Sequence, residues 1–396
     1  MDRTYSYYKN AFKEQEKPFA FIDLEFFDRN VSDVLNRAKD KKIRIASKSI
    51  RSVSLMRRIL DYSPQYQGIM CFTAPEAVWL SELGFDDLLV AYPTFQNEHI
   101  RAIAQEVKKG KKIYLMTDKP EHLQQINEIG KELEVSIPIC LDLDMSTNFP
   151  GLYFGVYRSS LNSFFKVKKY LKSLSLYPYV DLKGVMGYEA QIAGVGNNAN
   201  GQKIKNSIIN MLQATSLLEI VARRKLVVNL VMEFVDSLDF VNGGGTGSIE
   251  ITREETQITE IAVGSAFYNP TLFDNYGKFK HCPAAGYAIE VVRKPKPNIY
   301  TCLGGGYVAS GPMGADKLPS LYLPKGCKFF PNEMAGEVQT PIYYKGKESL
   351  EIGDPVFLRH SKAGELCERF NDLLLLQNGE IVEKVLTYRG SGKCFL

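Results

Sequence analysis

Between Ile43 and Gly264 short apolar runs alternate with amphipathic ones in a regular beat. Short, mostly apolar strand-like runs fall at 43–47, 68–71, 87–91, 112–117, 137–142, 183–187, 239–242 and 260–264. Runs with apolar residues at helical spacing lie between most of them: 53–60, 75–83, 98–108, 120–133, 161–172 and 204–222. Strand and helix in alternation imply a parallel sheet buried on both faces. Eight strands close such a sheet into a (β/α)8 barrel. The seventh-to-eighth connection is short and carries no clear helix. An amphipathic run at 28–40 precedes the barrel strands, and before it the run Phe19-Ala20-Phe21-Ile22-Asp23-Leu24 reads as a further strand.

After about residue 275 the helical period disappears. Gly and Pro become frequent and short alternating runs appear at 287–292, 298–303, 340–344, 354–358, 372–376 and 380–386. This pattern reads as a mainly β domain. The fold class is therefore α/β, a (β/α)8 barrel over 25–270 followed by a β domain. The run at Phe19 joins that domain and makes it discontinuous, 1–24 plus 271–396.

Composition narrows the function. The chain has 396 residues and a formal charge of only +4, with basic residues scattered. No Lys/Arg stripe with interleaved aromatics is present, so nucleic acid is not expected as a partner. No apolar run reaches the roughly 18 residues that cross a membrane. The first 17 residues lack a signal-peptide core and read as a short polar helix with an aromatic stripe. The seven cysteines are scattered without a C-x-x-C pair, and Cys71 and Cys140 lie in apolar strands. Reduced core thiols in a cytoplasmic protein are expected.

Three features fall at the C-terminal lip of the barrel, where such folds place their chemistry. Lys48 follows the first strand; a lysine partly desolvated there attacks carbonyls to form a Schiff base. Tyr188-Glu189 follow the sixth strand. Gly243-Gly244-Gly245-Thr246-Gly247-Ser248 follow the seventh, with Gly264-Ser265 after the eighth. Glycines let backbone N–H groups converge on an anion, and Thr and Ser hydroxyls add donors. Each feature alone is more often a surface lysine, a packed aromatic or an ordinary turn. Together at one mouth, a carbonyl-seeking lysine and a phosphate cradle point to pyridoxal 5′-phosphate.

These residues resemble the fold-type III pyridoxal phosphate enzymes, whose barrel is the alanine racemase N-terminal domain. Within them the chain is most similar to the D-threonine aldolase and D-serine dehydratase branch, and to bacterial amino acid deaminase/aldolase proteins. The matching segments are FAFIDLEFFDRN from Phe19, IRIASKSIRS from Ile43, GIMCFTAPEA from Gly68, DDLLVAYP from Asp86, VMGYEAQIAG from Val185, VNGGGTGS from Val241, GSAFYNPTLFDNY from Gly264, GGGYVASGP from Gly304, GEVQTP from Gly336 and SKAGELCERFN from Ser361. The resemblance implies that Lys48 carries the cofactor and that Tyr188 contacts its ring. Gly245, Thr246, Gly247, Ser248, Gly264 and Ser265 would hold the phosphate. Arg158, in GVYRSS, would serve the ring region or the substrate carboxylate, or form a surface salt bridge. Tyr268 and Asp274 would line the pocket.

The resemblance implies a lyase, aldolase or deaminase, acting on a D-β-hydroxy amino acid such as D-threonine or D-serine, in a head-to-tail homodimer. A racemase is the alternative, with Tyr268, Tyr287 or Tyr307 as a second base. A pyridoxal phosphate carrier without turnover is a further one, disfavoured by the long β domain. The chain also departs from the branch. Ile50 stands where those enzymes carry a histidine two residues after the lysine. Their divalent metal is held by His-x-Cys or His-x-Asp, whereas His360 is followed two residues later by Lys362. The upstream Glu-His corresponds to Glu337-Val338-Gln339, without histidine. A metal is therefore not expected; Glu337, His360 and Cys367 are the residues that would hold one, or would act as acid/base or substrate contacts.

Overall fold

The computed structural model describes residues 3–312, 314–362 and 364–395. The chain divides into two compact units. One comprises the residues up to Asp33, Ser49–Arg57 and Ser265–Cys394; the other comprises Val34–Lys48, Arg58–Gly264 and the tip at Phe395.

The second unit is a closed parallel barrel of eight strands: Lys42–Ala46, Tyr66–Cys71, Leu88–Val90, Ile113–Thr117, Ile137–Asp142, Val180–Gly187, Phe240–Gly243 and Glu260–Val263. The barrel closes where Val263 pairs with Ile45. Its centre is filled by Leu89, Tyr114, Met116, Cys140, Met186 and Phe240. A buried ion pair shares that interior. Arg44 is fully buried and makes a two-toothed pair with Glu260 at 2.6 and 2.9 Å. Its remaining N–H groups reach the Asp87 carbonyl and carboxylate at 2.6 and 2.9 Å. A buried guanidinium is tolerable only when its donors are used in this way.

Helix starts follow local chemistry. Thr73 caps Ala74–Glu82 by accepting from the Glu76 N–H, and Pro75 sits in the first turn. Pro120 opens Pro120–Leu133, where its missing N–H costs nothing. Three helices depart most from the sequence reading. The first helix spans Leu24–Ala38, earlier than 28–40, because the Asp23 carboxylate accepts from the Phe26 N–H at 3.2 Å and caps it there. Phe164–Ser173 starts late, after Ser163 at its cap position. Lys203–Val231 runs past 222, since no Gly or Pro stops it and Arg224, Val227, Val228, Leu230 and Val231 are buried. Between strands seven and eight only the four-residue helix Ile249–Thr252 intervenes. Among the described residues no helix is long and apolar enough to cross a membrane.

The first unit is built on a nine-stranded sheet. Phe19–Asp23 lies inside it, antiparallel to Ala285–Lys296 and parallel to Asp372–Gln377. All five of its residues are buried, which explains its apolar run Phe19–Ile22. The helix Tyr5–Ala11 packs Tyr8 among Phe12, Phe21 and Phe357, and the Tyr8 hydroxyl donates to Asp23 at 3.0 Å.

Candidate active site

Lys48 lies in the single turn Ser47–Ser49 that leaves the first barrel strand. The Ser47 hydroxyl donates to the Met70 carbonyl at 3.0 Å and ties that turn to the second strand. The expected desolvation of Lys48 is corrected: the residue is exposed. Its ammonium meets the Tyr92 hydroxyl at 3.4 Å and lies 5.8 Å from that ring. Tyr92 follows the third strand, in Leu88-Leu89-Val90-Ala91-Tyr92. Burial alone would raise its phenol, but the charges of Lys48 and Arg158 outweigh burial and lower it.

Arg158 reaches the same place from the connection after strand five. That connection contains the hairpin Thr147–Phe149 with Leu152–Phe154, which apolar periodicity did not reveal. The Ser146 hydroxyl donates to the Val156 carbonyl and accepts from its N–H, both at 3.1 Å, which closes the hairpin base just before Arg158. The guanidinium lies 5.3 Å from the Tyr92 ring and 5.2 Å from the Tyr188 ring. Two phenol faces around one cation is a favourable arrangement. Burial pushes the Tyr188 phenol up to about 12, with Arg158 pulling against it. Asp142, the buried last residue of strand five, has its carboxyl pushed up to about 7 by burial; Arg158 opposes this, while Asp118 and Asp144 add to it. The two phenols are thus driven apart, one toward ionisation and one toward staying protonated.

The glycine turn after strand seven is tightly seated. A Cβ on Gly243 would come within 2.8 Å of Ile258, on Gly244 within 2.9 Å of Ile261, and on Gly245 within 3.0 Å of Ala193 and 3.3 Å of the Tyr188 ring. Gly244 also has φ +74°, a conformation glycine adopts without strain. Glu189, beside Tyr188, is buried beneath the turn and accepts from the Gly244 N–H at 3.1 Å and the Ser248 hydroxyl at 3.0 Å. The fully buried Arg224 pairs with it at 2.7 Å. From outside, Arg37 donates to the Thr246 carbonyl at 2.7 Å and pairs with Glu250.

Lys48, Arg158, Tyr188 and the turn Gly243–Ser248 therefore belong to the barrel unit, as does Gly264 at its end. The other sequence candidates belong to the sheet unit. The Ser265 hydroxyl lies 3.3 Å from that of Ser49. Tyr268 is fully buried, with its hydroxyl donating to the Ile50 carbonyl at 2.8 Å, so it is a packed residue rather than a pocket wall. Asp274 is paired with Arg359 at 2.7 and 2.9 Å. His360 and Cys367 are buried, Glu337 is exposed, and burial lifts the Cys367 thiol to about 12. Among the described residues no group of three or more His, Cys, Asp or Glu side chains is arranged to hold a metal ion.

Tyr92, Asp142 and Arg224 were not singled out from sequence. Tyr92 and Asp142 carried one usable signal: each ends or follows a barrel strand at the same lip as Lys48.

Comparisons with known proteins agree on the fold. The family described as alanine racemase, N-terminal domain, matches residues 22–230. The D-threonine aldolase from Filomicrobium marinum superposes with a TM-score of 0.77 at 14% identity, covering 95% of each chain. The D-threo-3-hydroxyaspartate dehydratase from Delftia sp. HT23 gives 0.72 at 15% identity, covering 94% of this chain and 97% of that one. The alanine racemase of Clostridium difficile 630 in complex with cycloserine gives 0.62 at 15% identity, covering 93% and 98%. No curated protein sequence matches.

Proposed function

Since the chain belongs to the alanine racemase N-terminal domain family of fold-type III pyridoxal phosphate enzymes, we propose that it is a pyridoxal-phosphate-dependent lyase acting on a D-β-hydroxy amino acid, with Lys48 as the cofactor-bearing lysine. The observation that carries this reading is the meeting of Lys48, Tyr92, Arg158 and Tyr188 at one lip of the barrel that also holds the glycine turn. The donor set suits the cofactor: a primary amine for its aldehyde, a turn with no room for a Cβ for its phosphate, and a guanidinium between phenols for its ring oxygen or the substrate carboxylate. Bound there, pyridoxal phosphate supplies an electron sink for the bond broken at the substrate Cα.

The protein's own groups divide the proton handling. Lys48 Nζ would hold the cofactor aldehyde and would hold or give up a proton on one face of the site. Tyr92, with its phenol lowered beside two cations, ionises more readily than an ordinary tyrosine and so offers a phenolate as base. Tyr188, with its phenol raised, stays a donor. Arg158 orients an anionic group between the two rings. If the Cα–Cβ bond breaks as a base takes the β-hydroxyl proton, an amino acid and an aldehyde leave. If the Cα–H bond breaks and the β-hydroxyl then departs, ammonia is the eventual product. The D-β-hydroxy class is supported by the names of the two neighbours, a D-threonine aldolase and a D-threo-3-hydroxyaspartate dehydratase.

The test is an absorption spectrum of the purified protein with pyridoxal phosphate, before and after borohydride. D-threonine, D-serine and their L-forms are then added while aldehyde and ammonia are measured. The expected result is a borohydride-sensitive band at the violet edge that is absent in a folded Lys48→Ala variant, and product from the D-forms. Spectral change without aldehyde or ammonia points to a racemase. A binding band with no turnover points to a carrier, and no band at all removes the cofactor reading.

A further inference from the structure

We propose that Glu189 is a positioning residue for the phosphate end of the cofactor, holding the turn Gly243–Ser248 in the shape that receives an anion. This rests on the cofactor reading above. A carboxylate under an anion cradle is unfavourable on charge alone, so its presence calls for a compensating role.

The bonds supply that role. Glu189 is 1% exposed, and its two oxygens divide four donors. Oε2 accepts from the Gly244 N–H at 3.1 Å and from Arg224 Nη2 at 2.7 Å. Oε1 accepts from the Ser248 hydroxyl at 3.0 Å and from the Thr252 hydroxyl. Within the turn, the Gly245 N–H donates to Ser248 Oγ at 3.1 Å, and the Ser248 N–H donates to the Gly245 carbonyl at 3.0 Å. One carboxylate therefore grips both ends of the turn. Arg224 offsets part of its charge, being shared between Glu189 and Glu255, and also donates to the Gly187 carbonyl at 2.8 Å. Both oxygens of the carboxylate are thus taken up by donors of the scaffold.

This also reassigns Ser248. Its hydroxyl donates to Glu189 and accepts from Gly245, so we place Ser248 as a member of the lock and assign the phosphate to the apex, Thr246–Gly247. Ser248 then acts on the cofactor through the shape of the turn, which it holds together with Glu189.

The experiment titrates pyridoxal phosphate, and separately pyridoxal, into the full-length protein and follows binding by absorbance. Glu189→Gln is expected to raise the pyridoxal phosphate dissociation constant about tenfold, the cost of roughly one charge-assisted bond. Pyridoxal, which has no phosphate, is expected to change less than about twofold on the same scale. Adding Ser248→Ala to Glu189→Gln should cost little more, because the two act as one unit. Thr252→Val removes one donor to Glu189 without leaving Arg224 unpaired, and should weaken pyridoxal phosphate alone even if Glu189→Gln does not fold. Unchanged pyridoxal phosphate affinity, equal weakening of both ligands, or full additivity of Ser248→Ala would each overturn the proposal. A wild-type protein that binds neither ligand would instead overturn the cofactor reading itself.

Discussion

The Tyr92 hydroxyl lies 3.4 Å from the Lys48 ammonium, and the same phenol ring faces Arg158 at 5.3 Å. Two cations beside one half-buried phenol make ionisation easier than burial alone would allow, so its pKa falls below the ordinary value. An acid whose folded pKa is depressed stabilises the fold above its unfolded pKa, and that contribution is lost as pH falls through the folded value. Phenolate absorbance titration should show one tyrosine ionising below the main group, and that step should vanish in Tyr92→Phe. If the titration of Tyr92→Phe overlays that of the wild type, the charge cluster is misassigned.

Asp142 titrates against the opposite bias. Burial raises its carboxyl to about 7, and Arg158 only partly offsets that. An acid with a raised folded pKa leaves stability intact below its unfolded value, near pH 4, and costs stability as pH rises toward 7. Asp142→Asn is isosteric and cannot ionise. It should be more stable than the wild type by about 2–4 kcal/mol at pH 8, with the gap closing by pH 4. Denaturant melts at both pH values check this. A constant gap would mean that Asp142 is not the titrating group.

The barrel was legible because buried parallel strands are written as plain apolar runs. Ile137–Asp142 and Pro120–Leu133 have the bounds the pattern gives. Lys48, Tyr188 and the glycine turn were legible because each stands at a strand end, and strand ends share one lip. Tyr92 was not, since a lone tyrosine before a proline reads as the start of a loop. The state of Lys48 was not either: exposure depends on what the other loops cover, which no local pattern records. Ser248 illustrates a third kind of blindness. Its residue type suggests a phosphate donor, but only the fold shows that its hydroxyl points at Glu189, which lies 59 residues away in sequence. The hairpin 147–154 was hidden because its strands are three residues each, too short for alternation to register.

Arg44 and Glu260 test the floor of the barrel. Both are at most 1% exposed, and their pairing is two-toothed. Removing one partner leaves an uncompensated buried charge. Glu260→Ala should therefore destabilise the protein by about 3–5 kcal/mol in urea or guanidinium unfolding. Asp87 retains part of the guanidinium, which favours the lower end of that range. A loss under about 1 kcal/mol would mean that water or a shifted carboxylate replaces Glu260.

Arg158 links three titrating groups, so one substitution should move them together. Its charge lowers Tyr92, Tyr188 and Asp142 alike. Arg158→Met keeps the bulk and apolar contact with the two rings but removes that charge. The ionisation of Tyr92 should then shift to higher pH, and the carboxyl of Asp142 should rise above its already raised value. The sign for stability follows. The alkaline contribution of the Tyr92 phenolate shrinks, and the pH range over which Asp142 costs stability extends upward. Phenolate absorbance and carboxyl-carbon NMR, both on the protein without added ligand, read the two shifts separately from catalysis. If neither group moves, the guanidinium does not sit between the rings in solution, and the anion-orienting role assigned to it fails. If both move while pyridoxal phosphate still binds, substrate affinity should fall more than cofactor affinity, as expected when Arg158 holds the substrate carboxylate.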